Sequence, residues 1–295
     1  MKAIIVGGGI GGLTTALMLR ARGIDCELYE QTDTIRELGV GINTLPHAIR
    51  ELAGIGLLDR LDAVAVRTAE LFYLTRHGQQ VWHEKRGLDA GHDVPQFSIH
   101  RGRLQGVIHQ AVIERLGDDA IRTGCRLGAF SQDEGGVTAY FFDRSGAHVH
   151  TARGDILIGA TPEFWEYPCC DRDPLPYWSS GRVTLLGDAA HPMYPVGSNG
   201  ASQAILDARC LADALARSEH PRQALAAYEK QRLPMTADIV ASNRRGGPEG
   251  VIDAVEQLAP QGFSDIDTIL NYEAREAIVR GYAAKAGFAA RVVSR

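Results

Sequence analysis

Ala3-Ile4-Ile5-Val6-Gly7-Gly8-Gly9-Ile10-Gly11-Gly12-Leu13 decides the fold. Its four leading apolar residues lack the alternation of a half-exposed strand, so they read as a parallel strand covered on both faces. The glycine turn follows at once. From Leu13 the apolar residues recur at helical spacing through Ala16, Leu17 and Ala21 until Gly23 ends the pattern. Cys26 to Tyr29 then reads as a second strand, closed by Glu30. This is a βαβ opening with Gly7-x-Gly9-x-x-Gly12 at its turn. Gly7 makes the tight bend, Gly9 admits a pyrophosphate to the backbone, and Gly12 lets helix and strand pack closely. Ile10 and Gly11 complete the phosphate loop, and the free N–H groups of the helix start suit an anion. Glu30, 18 residues past Gly12, stands where an acid accepts hydrogen bonds from ribose hydroxyls and disfavours a 2'-phosphate. A glycine turn with no ligand is the competing reading, and strand, helix and acid in register weigh against it. The motif alone does not separate FAD from NAD.

The remaining composition narrows the partners. A 295-residue chain that is 45% hydrophobic can bury one large or two modest domains. Net charge is -5 with no basic block, so nucleic acid is not an expected partner. Glycines interrupt the apolar run after Lys2 where a signal peptide would be continuous, and nothing reaches the length of a spanning helix. Cys26, Cys125, Cys169, Cys170 and Cys210 form no ligand spacing. The expectations are therefore a cytoplasmic protein, no metal and no membrane, as a monomer or homodimer.

Helical spacing is expected over 45–65, 103–117, 201–216, 221–245 and 264–286, with a loop at Gly246-Gly247-Pro248. Glu70–Leu74 and Gln80–His83 flank a turn at His77-Gly78 and predict a hairpin. Val137–Phe142 and His148–His150 form a similar pair, Asp155–Ile158 and Arg182–Leu186 read as strands, and Pro162–Pro176 as loop.

A second constellation completes the first. Val183-Thr184-Leu185-Leu186-Gly187-Asp188-Ala189-Ala190-His191-Pro192 runs from a strand into a turn and an acid, followed by Pro195, Gly197, Asn199, Gly200 and Ala201. It resembles the GD motif of the class A flavoprotein aromatic hydroxylases, the p-hydroxybenzoate hydroxylase-like family. The resemblance implies that Asp188 binds the ribityl chain of FAD, with Gly187 in the turn. It places Pro195 beside the isoalloxazine and Gly197 to Ala201 at the flavin N1 and C2 carbonyl, where a helix N-terminus stabilises the reduced ring. An Asp that merely caps a helix is the alternative. Glu37-Leu38-Gly39-Val40-Gly41-Ile42-Asn43 looks like the family's glycine loop beside the ring, with Gly41 a cofactor contact. His100-Arg101-Gly102-Arg103-Leu104 looks like its helix start, so Arg101 is a flavin contact or else a surface arginine. With Asp171-Arg172-Asp173-Pro174-Leu175-Pro176, these stretches look most like the branch acting on 5-methylphenazine-1-carboxylate.

The resemblance implies an α/β, Rossmann-like FAD-binding fold of the glutathione-reductase type, with a reduced substrate subdomain and C-terminal helices. Residues 1–70 and 98–220 would bind FAD, 71–97 and 161–178 would be the remnant of the substrate subdomain, and 221–295 a helical region. The implied chemistry is hydroxylation of an aromatic or phenazine-like substrate with NADH or NADPH and dioxygen, through a flavin C4a-hydroperoxide. Pro195, Tyr194 and His191 are the residues expected at the reacting end, and His100 and Tyr73 stand behind them. Two features depart from the family. Gly159-Ala160 is followed by Thr161-Pro162-Glu163 where an Asp-Gly pair is usual, and only 28 residues lead from Gly159 to Gly187. A substrate subdomain is therefore expected to be missing at Ala160-Thr161. The rival readings are a flavin-binding protein without turnover and an NAD-dependent dehydrogenase; for the latter no catalytic Lys/Tyr or His/Asp pair follows the glycine loop.

Overall fold

The computed structural model describes residues 1–159 and 171–289. The Asp-Gly departure at 161–163, the Cys169-Cys170 pair and most of the Pro-rich stretch lie outside the described residues. The chain opens with β1 (Lys2–Val6), α1 (Ile10–Arg20), β2 (Asp25–Tyr29), β3 (Gly41–Thr44), α2 (Pro46–Gly54), α3 (Leu58–Asp62) and β4 (Val66–Arg67). There follow β5 (Glu70–Leu74), β6 (Gln80–Lys85), β7 (Phe97–His100), α4 (Arg101–Leu116), β8 (Ile121–Arg122), β9 (Arg126–Gln132), β10 (Val137–Phe142), β11 (His148–Gly154) and β12 (Ile156–Gly159). Beyond the gap come β13 (Val183–Leu185), α5 (Gly200–Arg217), α6 (Pro221–Asn243), α7 (Gly250–Leu258) and α8 (Tyr272–Ala286).

The central sheet is parallel, in the order β13-β12-β1-β2-β8. Chain connection leaves β1 in opposite directions toward β2 and β12, which opens a crevice at the carboxyl ends of β1 and β12, where Val6 pairs with Gly159. Ile4 and Ile5 alternate across the sheet and are both fully buried, as a doubly covered strand requires. Ala3 and Ile5 face a core shared by α1, α2, α4, α5 and the start of α6. Ile4, Tyr29 and Leu157 face the antiparallel β9–β11 sheet through Val137, Ala139 and Phe141. The Tyr29 and Phe141 rings stack at 4.0 Å.

The hairpin β5–β6 forms as the turn signal predicts, but it packs away from that sheet. Tyr73, Val81 and Trp82 join Val251, Val255 and Val279 of α7 and α8. Backbone and side chain tie the same parts together: Arg76 N–H donates to Glu256 at 2.8 Å, and Arg275 donates to the Val81 carbonyl at 2.8 Å. One expectation needs correction. The helix predicted over 264–286 begins only at Tyr272, where the Asn271 side chain accepts from Ala274 N–H, and a separate helix, α7, occupies Gly250–Leu258. Asp265 caps only a single short turn, so the apolar residues Ile266 and Leu270 belong to a loop packed on the hairpin core.

His47, on α2, is buried beside Gln203 and Phe288. Burial, aided by Arg232, pushes its imidazole down to about 3. In the unfolded chain the ring takes up its proton near pH 6.5. Between those values the unfolded state binds more protons, so stability falls as pH drops, by at most about 1.4 kcal/mol per pH unit from this group. Urea unfolding at about pH 7.5 and about pH 5 should therefore show a smaller acid-side loss for His47→Gln than for the wild type. Equal losses would remove His47 from the account.

Candidate flavin site

Gly7 leaves β1 with φ 115°, and Gly9 precedes α1 without a side chain to block its first turn. Glu30 lies where the motif predicts, at the end of β2. Its Oε2 accepts Gly8 N–H at 2.6 Å, while Oε1 accepts Thr32 N–H at 2.8 Å. The acid thus already braces the phosphate loop against β2. Gly11 has a role the motif did not reveal. A Cβ there would come within 2.8 Å of Leu186 and 3.4 Å of Ala204, so this glycine is what lets α1 meet the β13–α5 turn. Gln105 of α4 donates to the Gly8 carbonyl at 2.8 Å and ties in a third segment.

The Asp188 turn is built from below. Gly187 adopts φ 58° against Ala204, and its N–H donates to Asp207 Oδ2 at 3.0 Å. His191 Nε2 lies 2.6 Å from the same oxygen, and Arg232 Nε lies 2.7 Å from Oδ1. Asp207 is wholly buried. Burial alone would raise its carboxyl, but His191 and Arg232 more than reverse this and hold it well below the usual carboxylate range. His191 Nε2 is thus spent on Asp207, and the ring is buried. Asp207 and Arg232 escaped the motif reading. Their signal was an acid on the apolar face of α5, between Ala204 and Ala208, which only a buried partner explains. Asp188 itself is exposed and has no protein hydrogen bond among the described residues.

The ring-side segments also converge. Antiparallel β3 and β7 set Gly41 opposite His100, and Arg101 N–H donates to Val40 O at 2.9 Å. Ser98 Oγ donates to Asn43 Oδ1 at 2.7 Å, and Asn43 Nδ2 lies 3.5 Å from Ser198 Oγ. The 39–43 loop, Arg101 and the 194–201 segment therefore share one rim. Pro195 is exposed there and Tyr194 half-buried. Asn199 is buried and precedes α5, and Gly200 and Ala201 open that helix. His100 is exposed at the start of α4, and Tyr73 is buried in the hairpin core, where burial raises its phenol. A cleft of about 750 Å³ lies elsewhere, between α5 and α6, lined by Arg209, Cys210, Asp213 and Gln231 and by none of the motif residues. Among the described residues no cluster of His, Cys, Asp or Glu could hold a metal, and no helix is long and apolar enough to cross a membrane.

Comparison with known proteins bears on this arrangement directly. The model of the FAD binding domain family matches residues 1–161 and 175–243. The chain belongs to this family. Its cofactor is FAD, and it is an FAD-dependent monooxygenase of the aromatic hydroxylase group. The fold is the α/β, Rossmann-like arrangement that the resemblance implied. The phenazine 1,6-dicarboxylic acid hydroxylase PhzS of Lysobacter antibioticus is 33% identical over 360 residues, covering 82% of this chain and 88% of that protein. The 3-hydroxybenzoate 6-hydroxylase of Klebsiella oxytoca is 28% identical over 351 residues, covering 84% and 88%. Klebsiella pneumoniae HpxO complexed with FAD and uric acid superposes with a TM-score of 0.71 at 18% identity, over 98% of this chain and 97% of that one. The PhzS alignment carries a further fact. Since 82% of 295 residues is about 242, more than a hundred of its 360 positions face a gap in this flavoprotein.

Asp188 offers a direct check on cofactor placement in this flavoprotein. Asp188→Ala should weaken FAD binding by about 1.5 to 3 kcal/mol, the worth of a charge-assisted hydrogen bond to a ribityl hydroxyl. Fluorescence titration of the apoprotein reads this, and an unchanged dissociation constant would leave Asp188 as a bystander.

Proposed function

We propose that this flavoprotein hydroxylates a carboxylated aromatic of the phenazine class. The observation that carries the proposal is the convergence of three segments on one edge of the parallel sheet: the glycine loop, the exposed Asp188, and the rim formed by 39–43, Arg101 and 194–201. FAD fits these residues. Gly7, Gly9, Ile10, Gly11 and Gly12 leave the start of α1 open to the pyrophosphate, Glu30 serves the ribose, and Asp188 is an unspent acceptor for the ribityl chain. Gly41, Arg101, Pro195 and Tyr194 would hold the ring. Asn199, Gly200 and Ala201 bring the positive end of α5 toward its pyrimidine edge, where charge accumulates on reduction. Bound flavin supplies electron transfer from NAD(P)H and the activation of dioxygen. The chain orients the ring and keeps water from it.

Residues 1–70 and 98–220 form the FAD-binding unit in this proposal, and 221–295 a helical cover. The substrate wall rests on 71–97, with 161–178, and the segment missing from this chain would fall at Ala160-Thr161. Kinship with PhzS supports a phenazine carboxylate over a simple phenol. The test is NAD(P)H oxidation with product analysis, comparing phenazine carboxylates with hydroxybenzoates. Coupled hydroxylation is expected for the phenazines. FAD uptake with peroxide as the sole product from every aromatic would overturn the proposal and select a flavin-binding protein without turnover.

A further inference from the structure

Glu249 is absent from every motif in this sequence, yet it reaches the centre of the flavin rim. It ends the short turn Gly247–Glu249 between α6 and α7, and both of its carboxylate oxygens stand 3.2 Å from Gly197 N. That N–H is therefore spent on a protein acceptor rather than offered to a ligand.

The segment it holds needs holding. Gly197 and Ser198 adopt φ 67° and φ 53° in succession, and Ser198 is the one non-glycine residue with positive φ among the described residues. Such a conformation persists only where its surroundings impose it. Here they are numerous. Asn199 Nδ2 donates to Gly197 O at 3.1 Å and to Tyr282 Oη at 2.7 Å. Tyr282 in turn donates to Asn243 Oδ1 at 2.8 Å, and Asn243 Nδ2 donates to Tyr194 O at 3.1 Å. The Glu249 turn is shaped for the same contact. Gly246 and Gly247 take φ 89° and φ 55°, and a Cβ on Gly247 would come within 2.6 Å of Val196. Only a bare backbone lets the turn press against the loop.

We propose that Glu249 is a positioning residue for the flavin: by fixing the Val196–Gly197 peptide it holds the Pro195–Asn199 turn in the shape that receives the ring. Asn199 holds the Gly197 carbonyl, Asn243 holds the Tyr194 carbonyl, Tyr282 links the two asparagines, and Glu249 is the acceptor for the Gly197 amide. Burial raises the Glu249 carboxyl, and the Gly197 N–H, followed by its own backbone N–H and by Arg86, opposes that rise. The inference rests on the assignment of residues 187–201 to the flavin.

The test compares Glu249→Ala, Glu249→Gln and Glu249→Asp by FAD titration and by visible circular dichroism of the bound flavin, with Asp188→Ala alongside. The lost acceptor should weaken FAD binding about tenfold in Glu249→Ala and alter the flavin dichroism. Glu249→Asp, one methylene short, should behave likewise. Glu249→Gln keeps an acceptor oxygen and should stay within about threefold of the wild type with an unchanged spectrum. Rescue by glutamine is what a mere loss of stability would not produce. Wild-type affinity in the Ala or Asp variant, or equal losses for Gln and Asp, would overturn the latch. Should Glu249→Ala not fold, the Gln and Asp pair decides by the same rule. Wild-type affinity in Asp188→Ala would instead overturn the flavin assignment beneath it.

Discussion

Asp207→Asn should destabilise the apoprotein by about 3 to 5 kcal/mol, the cost of leaving one buried charge without its counterion. The asparagine is isosteric, so packing barely changes. What changes is that Arg232, 3% exposed, keeps its charge and loses the carboxylate 2.7 Å away. Its remaining partners, the Gln203 side-chain oxygen at 2.6 Å, the Gln203 carbonyl at 3.4 Å and the Met235 sulfur at 3.9 Å, are neutral and cannot balance it. Gly187 N–H and His191 meanwhile compete for an amide that can both donate and accept. Urea unfolding reads the stability, and a cost below about 1 kcal/mol would show that Arg232 finds water or another acid. A paired replacement separates stability from function. Asp207→Leu with Arg232→Met removes both charges, and such swaps are often neutral or stabilising. The double variant should regain most of the stability and still bind FAD poorly, because nothing then fixes the Gly187 turn from below.

Gly102→Ala should give the second largest effect, on FAD affinity more than on stability. Its Cβ would lie 2.6 Å from the Glu37 Cα and 2.8 Å from the Glu37 carbonyl oxygen, in the loop that carries Gly39 and Gly41. Backbone atoms must move, and with them the loop beside Arg101. Gly106→Ala, one turn along α4, is the internal control. It would also strike Glu37, but at the carboxylate end of a flexible side chain. A loss of FAD affinity confined to Gly102→Ala would locate the effect in the loop. Equal affinities for the two variants would show that the 37–41 loop is not a flavin contact.

The parts of this architecture legible in sequence are those whose cause is local. The βαβ opening, the hairpin at His77-Gly78 and the Asp188 turn each carry their turn chemistry within a few residues. β9 was invisible because it is an edge strand with little alternation, largely exposed from Arg126 to Gln132. β3, β4 and β7 are two to four residues long and exist because of their neighbours. The candidate site divides in the same way. Glycines and Asp188 announce themselves, whereas Asp207 with Arg232 and Glu249 with Gly197 are 25 and 52 residues apart. Such pairs become meaningful only when the helices are packed.

The hairpin core has a consequence for the birth of the protein. β5 and β6 leave the ribosome well before the side chains that cover Tyr73, Val81 and Trp82, which belong to α7 and α8. At about 5–20 residues per second, the hairpin waits roughly ten to forty seconds for its cover. During that time the parallel sheet and α1, α2, α4 and α5 can assemble from residues already synthesised, while Trp82 and Val81 stay in water. The length of this wait is set by the pace of translation rather than by the speed of folding. Slow codons between α6 and α8 would lengthen it and fast ones would shorten it.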